Sequence, residues 1–306
     1  LETVRWRYAS SPAGSSAGAG TNRSEGALLT YFLAAETDDE IRIEILDADQ
    51  NIIRTLSGTA KPRPFDETHP DVRVGTKNEP DLTTKAGLNR AAWDLRHDGA
   101  QEIPAAVIDI GSPRNGPLAL PGDYSVRLVA GGQTYTEPLE LVGDPRVDLD
   151  PEALAEHLEF QLRLRDQMTE IAKMVQTIRA VRDQIRARDQ LLQDNPDAVD
   201  LLERGHELVT KLDAIEEKLH NPHAEVSYDI LAGRHGGAQL YSRLSWLFEG
   251  TREHESAPTQ GMQEVGAEMA ADLDEQRLAL EEVLGQGLDS LNTLTKNKGL
   301  PSVITR

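Results

Sequence analysis

The chain has 306 residues and no cysteine, so disulfides and thiolate metal sites are excluded. Its length matches about two ordinary domains, each able to bury a core. A net charge of −20, from 52 acidic and 32 basic residues, repels phosphate backbones and anionic lipid heads and so argues against nucleic-acid or membrane-surface binding.

The acidity is general, with 22 acidic against 14 basic residues up to Pro145 and 30 against 18 beyond it. Only 8 of the basic residues are lysine, a composition compatible with a salt-adapted source. The chain starts at Leu1 without a basic-then-apolar leader and reads as a mature or excised piece. No apolar run approaches the roughly 18 residues needed to span a bilayer.

In chain order, "VRWRYASSP" carries Trp6 and Tyr8 between basic side chains. It reads as the exit from a preceding domain, although an edge strand or an aromatic platform for a sugar or base fits the same residues. The Gly/Ser/Ala-rich stretch 10–26 reads as a flexible lead-in by composition. Strand patterns then occupy 28–34, 41–47, 52–56, 89–95, the stretch "GDYSVRLVAGG" at 122–132, and 133–141. In "IRIEILD", Ile41, Ile43 and Ile45 share one face with Arg42 and Glu44 on the other, the period of a half-buried strand. Tyr124, Val126 and Leu128 repeat it. The polar "DADQN" between Ile45 and Ile52 predicts a hairpin. Stretches 61–85 and 103–117 are too rich in proline, glycine and charge for central strands and read as long loops.

After "DPRVDLDPEAL" the period becomes helical. Asp148 or Asp150 caps a helix whose first turn holds Pro151 and Glu152. Leu164, Met168, Ile171, Val175, Ile178 and Ile185 form its stripe. Asn195 and Pro196 break it, and Leu201, Leu208, Leu212, Ile215 and Leu219 mark a second helix ended by "HNPH". A shorter helix is expected over 238–248. A last long one, from about Pro258, presents Met262, Val265, Met269, Leu273, Leu280, Leu284, Leu288 and Leu291. Such stripes must pack on one another as a bundle or antiparallel coiled coil. No repeat of 20 to 50 residues is visible.

Trp93, Asp94, Arg96 and His97 lie together, but in a strand from Asn89 the side chains of Ala91, Trp93 and Leu95 share one face, which places Trp93 in a core. Asp94 and Arg96 then form a surface ion pair on the other face. His220, His223, Glu225, Asp229 and His235 are the best metal ligands by type, yet Pro222 interrupts their spacing and an exposed interhelical turn explains them. No nucleophile elbow, Walker loop or dinucleotide fingerprint occurs. Among 52 acids, carboxylate pairs of the kind glycosidases use are inevitable and carry no information. No residue is assigned a catalytic, cofactor-binding or metal-binding role, and no cofactor is expected.

The segments "IRIEILDADQNIIRTL", "GLNRAAWDLR", "LPGDYSVRL" and "LELVGDPRVDL", in that order, resemble the immunoglobulin or fibronectin-III-like domain that follows the β-propeller of large secreted bacterial proteins with sortilin-like or BNR repeats. These proteins are often labelled glycosyl hydrolases. A related pattern occurs in FlgD-type immunoglobulin modules. The helical half, with "DPRV" at its start and "LNTLTKNKGLPSV" near its end, is similar to the region closing those proteins. The resemblance covers most of the chain. It implies that any sugar cleavage belongs to the propeller, and no Asp-box such as S-x-D-x-G-x-T-W occurs here.

The expected architecture is therefore α+β in two domains. Residues 1–24 form a lead-in from an upstream domain, 25–147 an antiparallel immunoglobulin/fibronectin-III-like β-sandwich, and 148–306 an α-helical bundle or antiparallel coiled coil. The expected role is that of a non-catalytic structural or interaction region of a secreted, periplasmic or cell-surface protein. Its partners would be the upstream β-propeller and a protein partner or second copy bound through the helices, without nucleic acid or membrane insertion. The alternative is a carbohydrate-binding accessory module that grasps a glycan with loops 61–85 and 103–117.

Overall fold

A computed structural model describes residues 2–4, 26–58, 82–252, 254–300 and 302–305. Trp6, Tyr8, most of the 10–26 stretch and most of the 61–85 loop lie outside the described residues. The chain is α+β, with antiparallel sheets followed by a helical C-terminal region. The strands are β1 (Glu2–Val4), β2 (Ala27–Leu33), β3 (Ile41–Leu46), β4 (Ile52–Gly58), β5 (Gly87–Trp93), β6 (Arg96–Asp98), β7 (Asn115–Leu118), β8 (Gly122–Ala130) and β9 (Gln133–Val142). A five-stranded sheet runs β1-β9-β8-β3-β4, and β2-β5 and β6-β7 pair separately. All ladders are antiparallel except β1 with β9, where Glu2 pairs with Glu140 and Val4 with Val142.

The hairpin expected at 41–56 forms, and its turn is closed from the Asp47 side chain, which accepts the Asn51 N–H at 2.8 Å. Ile41, Ile43 and Ile45 are buried together with Leu29, Tyr31, Ala91, Trp93, Leu139 and Leu141, so residues of the large sheet and of the β2-β5 pair share one core. Glu44, on the other face of β3, is itself buried and bound by Arg127 across the ladder at 2.6 Å.

Three short strands escaped the sequence reading. β1 and β6 have three residues each and β7 four, too few to show a period of two. β7 also corrects the 103–117 loop, whose last residues belong to a strand. The strand expected over 89–95 stops at Trp93, because Leu95 turns to a φ of 61° and Asp94 Oδ1 accepts the Arg96 N–H at 3.2 Å.

The helices are α1 (Pro151–Leu192), α2 (Val199–Leu219), α3 (Ser227–Leu231), α4 (Leu240–Thr251), α5 (Gln260–Glu282) and α6 (Leu288–Asn297), with a π turn at Val283–Gly287 joining the last two. Of the two candidate caps, Asp150 serves, accepting the Glu152 and Ala153 N–H groups at 3.0 and 3.4 Å. α1 has 42 residues, about 63 Å of rod at the usual rise. Phe160 of α1 lies against Gly266 of α5, Glu170 pairs with Arg277, and Arg188 reaches Thr295, so α5 and α6 run parallel to α1. α2 runs antiparallel to α1, with Glu216 beside Arg179 and Asp213 beside Arg186.

The apolar stripe of α5 differs from expectation at one point. Val265 is exposed, and Gly266 takes the inward position, where a Cβ would stand 3.0 Å from the Phe160 ring. The stripe is therefore read through a residue without a side chain, which an apolar count passes over.

Residues 99–114, between β6 and β7, form a strap laid along the helices. Ala100, Ile103 and Ala106 belong to the helical core rather than to that of the sheets. Arg165 donates to the Asp98 carbonyl, Thr169 Oγ1 accepts the Gln101 N–H, and Arg179 donates to the Pro104 carbonyl at 2.7 Å. Ser227 and Ser245 donate to the carbonyls of Ile108 and Ile110. Gly111, at a φ of +91°, passes so near α4 that a Cβ would sit 2.5 Å from Ser245 Oγ.

Candidate functional site

Trp93 is fully buried, its indole N–H donating to the Arg96 carbonyl at 2.8 Å. Tyr124 meets its ring edge-on, with centroids 5.7 Å apart, and donates to the Leu120 carbonyl at 2.7 Å. This is a packed corner with its polar atoms satisfied internally. Arg96 is turned away from the Asp94 side expected for it, donating to the Gly116 carbonyl at 3.0 Å. His97 is 9% exposed, and burial, helped by the charge of Arg165 and opposed by Asp47, lowers its imidazole to about 4. Trp93, Asp94, Arg96 and His97 do not converge on a cleft.

The helical half holds a cluster that the sequence did not flag. Glu216, 1% exposed, accepts from Arg179 at 2.8 Å and from Arg182 at 2.5 Å. Its Oε1 also lies 3.0 Å from His220 Nε2. Burial opposes its ionisation, but hydrogen bonds from His220 and Arg179 and the charges of Arg179 and Arg182 outweigh burial and hold the carboxyl at about 2. Arg182 also bonds Asp213, which pairs in turn with Arg186. One Arg179 guanidinium thus fastens α1 to α2 and to the strap. The signal was present as Arg179, Arg182 and Arg186 at helical spacing opposite Asp213 and Glu216, but their burial is a tertiary property.

The histidines considered as metal ligands are drawn apart. His220 belongs to the Glu216 cluster, and His223 faces Glu217 at 3.3 Å with its ring 6.4 Å from that of His235. Asp229 accepts the Glu225 and Val226 N–H groups at 3.0 and 3.2 Å and pairs with Arg234. Among the described residues, no group of three or more His, Cys, Asp or Glu side chains is placed to hold a metal ion.

A small cleft of about 30 Å³, open to solvent, lies where Arg96 and Leu118 face the start of α1 and the chain following α4. Besides Arg96, the side chains of His157, Gln161, Arg252, His254 and Glu255 supply its polar lining. Gln161 donates to Thr251 Oγ1, and Arg252 is clamped on both Glu249 oxygens. The Gln161–Thr251 bond ties α1 to α4, whereas the Arg252–Glu249 pair lies within the end of α4.

Around the strap, large apolar side chains are exposed at Ile110, Val226, Tyr228, Leu231 and Trp246. The Trp246 ring is fixed by its N–H bond to Asp109 at 2.8 Å, and the Arg234 guanidinium stands 5.4 Å from the centre of the Tyr228 ring. No described helix is long and apolar enough to cross a membrane.

The fold is that of an α+β protein with antiparallel sheets and a helical C-terminal region. No protein-family model matches the chain, and no curated protein matches it.

Proposed function

We propose that this chain is a non-catalytic structural and interaction region of a secreted sortilin-like or BNR-repeat β-propeller protein. Residues 25–147 would form an immunoglobulin/fibronectin-III-like sandwich, to whose larger sheet Glu2–Val4 of the lead-in adds an edge strand, and the helices from 148 onward a second domain. The parallel pairing of β1 with β9, the shared core of the two sheets and the Tyr124 hydroxyl returning to the Leu120 carbonyl support the sandwich. The role would be to hold an upstream propeller at a fixed angle and to offer helical surface to a partner.

The observation that carries this reading is the strap, bound by Arg165, Thr169, Arg179, Ser227 and Ser245 of the helical half. Such a weld suits a rigid mount. Urea unfolding followed by tryptophan fluorescence and by helical circular dichroism tests it. Coincident transitions are expected; two separated transitions overturn the mount, and turnover on a panel of aryl glycosides overturns its non-catalytic character.

Glycan binding is the second reading. The exposed rings of Trp246 and Tyr228 beside the strap favour it, whereas the docking of residues 103–114 on the helices removes that loop as a free grasping surface. Binding on a glycan array that vanishes in Trp246→Ala would support it, and a silent array would remove it.

A further inference from the structure

Residues 302–305 thread between α1 and α6, held by two side-chain amides. Val303 N donates to Asn292 Oδ1 at 2.8 Å, and Asn292 Nδ2 donates to the Val303 carbonyl at 2.9 Å. Ile304 N donates to Gln184 Oε1 at 3.1 Å, and Gln184 Nε2 donates to the Ile304 carbonyl at 2.9 Å. Each amide takes the donor and the acceptor of one residue, as a neighbouring β-strand does. Successive residues turn these groups to opposite sides, Val303 to α6 and Ile304 to α1, which is the alternation of an extended chain. Gln184 is held for this by a second bond, from its Nε2 to the Ala180 carbonyl at 3.0 Å.

Bonds to backbone groups read extended shape rather than sequence. Selectivity is left to one position: Val303 is 5% exposed and joins the helical core, while Ile304 is 53% exposed and Ser302 and Thr305 are exposed. We propose that the groove between α1 and α6 is a receptor for an extended peptide with a β-branched apolar residue at the central position, occupied in cis by residues 302–305. Release of this segment removes a single side chain from the core, so exchange leaves the bundle standing. The net charge of −20 selects neutral or basic peptides over acidic ones.

The test uses a fluorescein-labelled peptide of residues 301–306 and fluorescence anisotropy. The full chain should bind it at least about tenfold more weakly than a chain ending at Leu300. In that shortened chain, Asn292→Leu or Gln184→Leu should lose about tenfold in affinity, and an unlabelled peptide carrying Val303→Asp should fail to compete. The full-length Val303→Asp chain, whose own segment is expelled, should bind like the shortened one. The proposal is overturned if the shortened chain keeps its helical circular dichroism without saturable binding, or if binding ignores both amides. It is equally overturned if removal of residues 301–306 melts the helices, since the segment is then a fixed part of the core.

Discussion

Arg179 reaches Glu216 at 2.8 Å and, from the same guanidinium, donates to the Pro104 carbonyl at 2.7 Å. One side chain of α1 therefore shares with Arg182 the neutralisation of a carboxylate that is 1% exposed and also pins the strap that issues from the sheets. Removing it strands part of a buried charge, which typically costs 3–5 kcal/mol when the pair is broken outright.

Because Arg182 still holds the other Glu216 oxygen, Arg179→Met should destabilise by about 2–4 kcal/mol, short of the full penalty. Urea denaturation measures this. Adding Glu216→Gln to Arg179→Met should restore part of the loss, and strict additivity of the two changes would show that they do not act as a pair.

Acid should unfold the protein in two stages. His97 is held at about 4 against an ordinary value of 6.5, so the unfolded chain binds the proton more readily and stability falls as pH drops from 6.5 towards 4. The loss is on the order of 3 kcal/mol. Glu216, held at about 2 against 4.5, adds a second loss as pH falls from 4.5 towards 2. His97→Gln should flatten the first stage and leave the second, as read from denaturation midpoints at half-unit pH steps.

Trp93→Ala should cost about 3–5 kcal/mol, the usual range for emptying an aromatic core site. Tyr124→Phe, which loses the bond to the Leu120 carbonyl, should cost about 1 kcal/mol. If Trp93→Ala proves neutral in thermal unfolding, the corner is not the core element described here.

Gly111→Ala should destabilise by about 1–3 kcal/mol, since it meets both a positive φ and the α4 backbone. Trp246 fluorescence should change with it, because the adjacent Asp109 holds the indole. An unchanged melting temperature and spectrum would mean that the strap is not seated on α4.

Raising salt from low to physiological ionic strength should raise the melting temperature, by screening the self-repulsion of a net charge of −20. A continued rise into molar salt would support a salt-adapted source, and a plateau would not.

The sequence carried the periodic elements well. β3 and β8 and the stripes of α1 and α2 came out of apolar spacing, since burial of a regular face leaves a regular trace. Leu95 was read as inward and is buried, although its backbone has already left the strand. Val265 was misplaced because the inward residue beside it is a glycine. The Glu216 cluster was invisible for a different reason. Charged residues at helical spacing look the same whether they face water or a neighbouring helix, and only packing decides which.

By itself, then, the amino-acid order determined where the chain extends, where it coils and which faces are apolar, because propensity and periodicity act over neighbouring residues. The tertiary structure alone decided that the 99–114 strap belongs to the helices, that Arg179 bridges two helices and that strap, and that residues 302–305 lie between α1 and α6. Those contacts join residues up to 135 positions apart in the chain, and no local pattern records which distant surface a polar group will meet.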